Sequence, residues 1–143
     1  MLAILRPIAR RRGKRENGQT LVEFALVLPI FLLVLFAIVD FGMAFHSWIT
    51  VTNSAREGAR LGAVRATSGE IEQRVRDTAA SLEQADLTVA VTNAEGQPGE
   101  SVVVDVSYDY SLMTPLADLL NLVSGGTIPA TLTLDSAADM RLE

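Results

Sequence analysis

The pattern of hydrophobic and polar positions separates a long apolar stretch near the start of the chain from a body of mixed polarity. Residues 21–39 are almost entirely apolar, with Glu23 as the single ionisable side chain before Asp40. The stretch from Leu21 to Phe45 holds 25 residues, which reach about 37 Å as a helix, whereas a hydrocarbon core is about 30 Å thick. The pattern predicts one transmembrane helix, with Asp40 at the far interface, where a carboxylate costs little.

After the apolar stretch the pattern remains helical from Ile49 to about Ala66. Alanine recurs there at positions 55, 59 and 63, and glycine at positions 58 and 62. Small side chains at this spacing allow another helix or a sheet to approach closely. The approaching element is either part of the same domain or the surface of a partner subunit. The arginines nearby are expected to be solvated or paired with local acids. The candidate packing motif is Ala55, Arg56, Gly58, Ala59 and Arg60.

The next residues predict a second helix and a β-hairpin. Apolar positions recur with a helical period from Ser68, which is expected to cap the helix, to about Gln84. Residues 87–92 and 101–110 alternate between apolar and polar, and residues 93–100 between them contain glycine and proline. This arrangement predicts two antiparallel strands joined by a loop.

The last part of the sequence predicts a short helix over residues 116–123 and a strand that begins at Thr131 and extends into the final residues. The expected fold class is therefore α+β. A long N-terminal transmembrane helix continues into a small domain with an antiparallel β-sheet.

Charge is distributed unevenly and predicts an orientation in the membrane. Six of the 12 lysines and arginines lie in residues 1–18, and the rest of the chain carries a formal charge of −10. Positive residues flank only the start of the apolar stretch, which predicts a single pass with a cytoplasmic N-terminus and an extracytoplasmic C-terminal domain. The acidic body and the apolar neighbour of the basic arm argue against nucleic acid as a partner.

The sequence holds no recognisable set of catalytic residues. It has no cysteine, one histidine (His46), no Gly-x-Ser-x-Gly motif and no glycine-rich phosphate loop. Asp105 and Asp109 share one face of a predicted strand and are expected to be solvated rather than to bind calcium, while Tyr108 and Tyr110 are expected in the core. We therefore expect no enzyme activity, no metal site and no cofactor.

Two processing routes are compatible with the apolar stretch. A signal peptidase would cut after it, and Gly42-Met43-Ala44 weakly resembles the small-residue site that such an enzyme uses. However, the stretch is longer than a usual signal core, and Glu23 lies inside its start. The other route cuts before the stretch and retains it in the mature protein.

The junction itself resembles a known site. Gly18-Gln19-Thr20-Leu21-Val22-Glu23 is similar to a type IV prepilin cleavage site, in which a peptidase cuts after the glycine and glutamate is the fifth mature residue. The longer sequence GQTLVEFALVLP, from Gly18 to Pro29, followed by Val-Asp-Phe-Gly at residues 39–42, resembles the TadE-like proteins of tight-adherence (Flp) pilus systems. Residues 55–60 and 140–143 are similar to later segments of that family.

The resemblance implies a pilin-like fold and three segments. Residues 1–18 would be a basic leader peptide, residues 19–48 the transmembrane and assembly helix, and residues 49–143 the extracytoplasmic domain. Gly18 and Gln19 would form the processing site of a prepilin peptidase. The protein would be a minor pilin or pseudopilin in the bacterial inner membrane, or incorporated into a type IV-like pilus. Its implied partners are other pilin or pseudopilin subunits, the inner-membrane assembly platform and the lipid bilayer.

Glu23 and Pro29 have physical roles that fit this interpretation. Cleavage after Gly18 would create an amine on Gln19, one helical turn from Glu23, and the two charges could pair within or between subunits. Pro29 removes a backbone donor and is expected to kink or loosen the helix. Two alternatives remain: an uncleaved single-pass anchor for a periplasmic binding module, and a secreted enzyme released near Ala44.

Overall fold

The computed structural model describes residues 16–126 and 128–143. Helix α1 runs without a break from Glu16 to Ala63, so the predicted continuation of the apolar helix into the body is confirmed. The helix ends three residues before the expected Ala66. Arg65 takes a φ of 64°, in the left-handed region, and its N–H donates to the carbonyl of Gly62 at 2.8 Å. This short-range bond tightens and closes the last turn.

Helix α2 covers Ser68–Thr78 and is shorter than the sequence pattern predicts. Thr67, not Ser68, is its N-cap, and Thr67 forms a reciprocal capping box with Glu70. The expected extension to Gln84 is wrong, because the Gln84 side chain donates to the carbonyls of Ala79 and Leu82 and so satisfies groups beyond the end of the helix. A single 3-10 turn follows at Gln84–Asp86.

Three antiparallel strands form one sheet in the order β1-β2-β3. They are β1 (Leu87–Thr92), β2 (Ser101–Ser111) and β3 (Thr131–Arg141). The predicted hairpin of β1 and β2 and the extension of the last strand are both confirmed. In the hairpin loop, the Glu100 carboxylate accepts from the N–H of Gln97 and from the Asn93 side chain, which holds the turn closed.

One face of the sheet is covered by α2 and by the second half of α1. Tyr108 and Tyr110 point into this core, while Asp105 and Asp109 are exposed on the opposite face, as the alternation predicts. The fully buried large apolar side chains come from both helices and from β2: Val51, Ile71, Val75, Val102, Val104 and Val106. The fold class is therefore α+β, with a long apolar helix followed by a small antiparallel sheet.

Between β2 and β3 the chain leaves the sheet and forms a third helix, α3 (Leu116–Ser124). Gly125 closes α3 in the left-handed conformation, with a φ of 61°. The first and last residues of the excursion are adjacent, because the N–H of Leu112 donates to the carbonyl of Ala130 at 2.8 Å. Since β2 runs antiparallel to α1, this excursion lies toward the apolar end of the long helix.

Residues 142 and 143 close the opposite end of the domain. Leu142 is buried, and the N–H of Glu143 donates to the carbonyl of Ala63 at 3.1 Å. The Arg65 side chain donates in turn to the carbonyl of Glu143. These bonds tie the end of β3 to the end of α1 and satisfy backbone groups that α1 leaves open there.

Candidate assembly site on the long helix

The predicted processing site lies in the first turns of α1. Gly18, Gln19 and Glu23 are all exposed there, and the Gln19 side chain donates to the Glu23 carboxylate at 3.1 Å. Apart from its chain neighbours and the nearby backbone of its own helix, no described residue lies within 4 Å of where a Cβ on Gly18 would stand. Glycine inside a helix costs roughly 0.5–1 kcal/mol relative to alanine. The described fold therefore gives no packing reason for glycine at position 18, although residues 1–15 of the predicted leader lie outside the described residues.

The first half of α1 is apolar and exposed. Its most apolar 18-residue window has a mean hydropathy of 2.9 and is long enough to cross a membrane by length and composition. Large side chains on this half are well exposed, for example Leu21 at 69% and Leu26 at 70%. An apolar surface of this extent requires a lipid or protein neighbour. The helix thus fits a membrane anchor.

Pro29 lies inside this exposed half, and α1 continues through it as one helix. Proline has no N–H, so the carbonyl of Ala25, one turn earlier, loses its usual helical donor. Such a free carbonyl is tolerated in membrane helices, where neighbouring helices can satisfy it.

The small-residue motif packs on the chain's own domain. Ala55 and Ala59 have no exposed surface, and a Cβ on Gly58 would lie 2.5 Å from Val75 Cγ2 and 3.2 Å from Val104 Cγ1. These glycine and alanine positions therefore let α1 contact both α2 and the sheet. Of the two alternatives left open by the sequence, packing within the domain is the one that this geometry favours.

The arginines of the same motif face solvent. Arg56 is exposed, and Arg60 lies 3.8 Å from Glu57, which in turn lies 3.7 Å from Arg74. Ion pairs that are this exposed contribute about 0–1 kcal/mol. Their position leaves the charged groups available on the outer surface of α1.

A buried carboxylate joins the long helix to the excursion after β2. Asp40 is 1% exposed, and its Oδ1 accepts from the N–H groups of Met113 and Thr114 at 2.9 and 3.1 Å. Its Oδ2 accepts from the Thr114 hydroxyl, and its backbone carbonyl accepts from the Tyr110 hydroxyl. We call this set of four bonds the Asp40 clamp.

These features lie on or beside the segment that a comparison with known families identifies. Residues 18–60 match the family of TadE-like proteins. The match begins at Gly18, includes Glu23, Pro29 and Asp40, and ends at Arg60, so the resemblance indicated by the sequence is confirmed. No curated protein and no solved structure gives a match to this chain.

The match covers about a third of the chain, in its N-terminal part. The TadE-like family is a structural family that is associated with tight-adherence pili and is not known for catalysis. Residues 18–60 therefore resemble a segment of tight-adherence pilus-associated proteins, and the long apolar helix fits a membrane anchor.

The Asp40 clamp is the feature of the TadE-like segment that sequence reasoning missed. Asp40 is expected from the sequence only as an inexpensive carboxylate at the membrane interface. A signal was nevertheless present, because Asp40 shares a helix face with Ala44, Ser47 and Val51, all of which are buried. A carboxylate on the buried stripe of a helix indicates a polar partner, but the sequence does not name that partner.

The described residues contain no group of three or more histidines, aspartates and glutamates that could hold a metal ion. On the exposed face of the sheet, the Asp109 carboxylate accepts from the Thr133 hydroxyl at 2.8 Å and so has a structural partner.

Burial, the Asp40 carboxylate and Tyr108, in that order, raise the pKa of Tyr110 above 10.0. Tyr110 is therefore neutral at physiological pH and acts as a donor to the helix.

Proposed function

We propose that the chain is a minor pilin or pseudopilin of a tight-adherence pilus, made as a precursor and trimmed after Gly18. Residues 1–18 act as the leader, residues 19–48 as the membrane and assembly helix, and residues 49–143 as the extracytoplasmic domain. The protein inserts with its N-terminus in the cytoplasm of a bacterium, and it works by packing with other pilin-like subunits on the inner-membrane assembly platform.

The observation that carries this proposal is the exposed junction of Gly18, Gln19 and Glu23. A cut after Gly18 gives Gln19 a positive amine at the start of a helix that ends its first turn at Glu23. In the precursor the Glu23 carboxylate accepts from the Gln19 side chain, so the carboxylate already lies beside the future amine. In an assembled bundle, the same carboxylate can pair with the amine of a neighbouring subunit and fix the register between helices.

The first half of α1 supports the same role. Its exposed apolar surface suits lipid before assembly and the helices of other subunits afterwards, since both neighbours remove it from water. Pro29 lies within this half, where its missing N–H lets the helix bend as its surroundings change.

The structure argues physically against release by a signal peptidase near Ala44. Such a cut would remove Asp40 and leave the N–H groups of Met113 and Thr114 without their acceptor. Each buried polar group left unsatisfied costs about 1–3 kcal/mol. The domain is therefore expected to need the helix from Asp40 onward.

The proposal is tested by comparing three variants in cells that carry the prepilin peptidase and assemble pili. Gly18→Ala should block cleavage, whereas Glu23→Gln should be cleaved but should incorporate poorly, because the neutral side chain cannot pair with the amine. Glu23→Asp keeps the charge and is the matched control, expected to incorporate better than Glu23→Gln. Immunoblots of whole cells report cleavage, and immunoblots of sheared pili report incorporation.

Each half of the proposal has its own contradicting outcome. Normal cleavage of Gly18→Ala would refute the processing site. Equal incorporation of Glu23→Gln and the unchanged protein would refute the pairing role of Glu23.

A further inference from the structure

The excursion between β2 and β3 differs in composition from the rest of the body. Residues 112–130 contain one ionisable side chain, Asp118, and no basic residue. Six leucine or isoleucine side chains and one methionine lie in the same 19 positions. A surface loop of this length is normally polar, so an apolar one indicates a contact beyond the domain itself.

The excursion is held against α1 at a fixed position along the helix, next to Asp40. The Asp40 clamp fixes Met113 and Thr114, immediately before α3, and α3 packs against α1. Further along, the Asn121 side chain donates to the carbonyl of Ile128 at 3.2 Å and accepts from its N–H at 2.6 Å. The segment is thus internally braced and attached to α1 at Asp40.

Apolar side chains of the excursion are left exposed despite this bracing. Leu122 on α3 is 82% exposed, Met113 is 68% exposed and Ile128 is 37% exposed. Burial of a leucine side chain removes apolar surface from water and is therefore favourable. The exposed side chains therefore present a surface that gains from an apolar neighbour.

The Asp40 clamp lies at the position along α1 where the helix would leave the outer side of a membrane. The helix from Leu21 to Asp40 contains 20 residues and is about 30 Å long, which is the thickness of a hydrocarbon core. The face of α1 that carries Asp40 remains half-buried at Phe36 and Ala37, one turn nearer the start of the helix. The apolar surface of the excursion therefore adjoins the apolar half of α1.

We propose that α3, with Met113 and Ile128, is a second membrane-contact element that lies in the outer interface of the bilayer beside α1. We call it the interfacial segment. Leu122 and Met113 contact lipid, while the Asp40 clamp sets the height and orientation of the domain above the membrane. The inference rests on the membrane insertion of α1 described under the proposed function.

Asp118 limits how deep the interfacial segment can lie. It is exposed and one helical turn before Leu122, so the two side chains share a face of α3. A carboxylate is costly in hydrocarbon but inexpensive among headgroups. Because the segment has no basic residue, its contact is apolar and needs no anionic lipid, and a phosphatidylcholine bilayer is a sufficient partner.

The single tryptophan of the chain, Trp48, makes a direct test possible. In a Trp48→Phe background, tryptophan is placed at position 122 (Leu122→Trp), and the full chain is reconstituted in phosphatidylcholine vesicles with acyl chains brominated near the headgroup. Bromine quenches tryptophan fluorescence on contact. The Leu122→Trp protein should be quenched several-fold more strongly than a matched control, Val64→Trp.

Val64 is a suitable control because it is also an exposed apolar side chain, at 65%. It follows Ala63, the last residue of α1, and lies 24 residues beyond Asp40, or about 36 Å further from the membrane. Phe31→Trp, inside the apolar half, is the positive control. It should respond most strongly in a second set of vesicles, whose acyl chains are brominated deep in the bilayer. Met113→Trp is a second probe of the interfacial segment in case Leu122→Trp disturbs α3.

The outcomes separate the two proposals. Quenching of Phe31→Trp without quenching of Leu122→Trp and Met113→Trp would leave membrane insertion standing and overturn the interfacial segment. Absence of quenching at all sites would overturn insertion and the inference together. Protection of Leu122→Trp from both bromolipid and aqueous iodide would show that a protein surface covers α3, which also contradicts the proposed lipid contact.

Discussion

Asp40 shows how a single carboxylate can connect two parts of a small protein. Its side chain accepts three hydrogen bonds from two consecutive residues of one loop, and that loop is more than 70 positions away in the sequence. The loop N–H groups have this carboxylate as their acceptor. Removal of Asp40 would therefore destabilise the fold mainly because these donors would be left unsatisfied.

Replacement of Asp40 by alanine should lower the free energy of unfolding by about 3 kcal/mol, since several partly buried donors lose their acceptor together. Asp40→Asn should cost less, because its amide oxygen can still accept from the loop N–H groups. Asp118→Asn, which changes an exposed carboxylate, should have little effect. Thermal unfolding of the protein in detergent, followed by circular dichroism, measures all three, and a loss for Asp118→Asn equal to that for Asp40→Ala would contradict the role of the clamp.

A second prediction at the level of single residues concerns two glycines of α1. Gly58→Ala should destabilise the domain by about 1–3 kcal/mol, because its Cβ would overlap Val75. Gly42→Ala is the matched control on the same helix, since no described residue lies within 4 Å of its Cβ position. It should be neutral or stabilising by up to roughly 1 kcal/mol. The same unfolding assay decides, and equal effects at both positions would show that α1 does not approach α2 as closely as described.

At the level of single elements, a capping box holds the first turn of α2. The backbone N–H and then the hydroxyl of Thr67 donate to Glu70 and lower the pKa of that carboxyl below 4.5. A lowered pKa in the folded state means that this contribution is present above the ordinary pKa and is lost as the pH falls below it.

Thr67→Ala should therefore destabilise the domain by about 1 kcal/mol. Ser68→Ala, one residue later, should change little, because Thr67 and not Ser68 provides the cap. Glu70→Gln should reduce the loss of stability between pH 5 and pH 3 in the same unfolding assay, in keeping with the lowered pKa of Glu70. A larger effect from Ser68→Ala than from Thr67→Ala would mean that the cap is assigned to the wrong residue.

The elements that the sequence predicts well are those with a local cause. The apolar period of α1, the alternation of β2 and the turn residues at 93–100 each act over a few positions, and the structure has the corresponding elements. The end of α2 and the role of Asp40 were missed, because both depend on partners outside the local pattern. Gln84 reaches back to the carbonyls after α2, and Asp40 binds a loop that folds beside it only once the sheet has formed.

At the scale of the whole molecule, α1 has two halves with different neighbours. From Asp40 onward its inner face belongs to the domain, where Ala55 and Ala59 are fully buried, while the residues before Asp40 are mostly exposed. The domain is thus fixed to the second half and leaves the apolar half exposed, as a membrane anchor requires. The proposed function requires that this helix is retained after the leader is removed at Gly18.

The most direct test is the intact mass of the protein, with its N-terminal residue, after isolation from cells that express the prepilin peptidase. We expect a mature chain that begins at Gln19, and a chain that keeps its leader when the peptidase is deleted. A chain that begins at Met1 in peptidase-positive cells would support an uncleaved anchor, and one that begins near residue 45 would support a secreted domain. Either result would contradict the account.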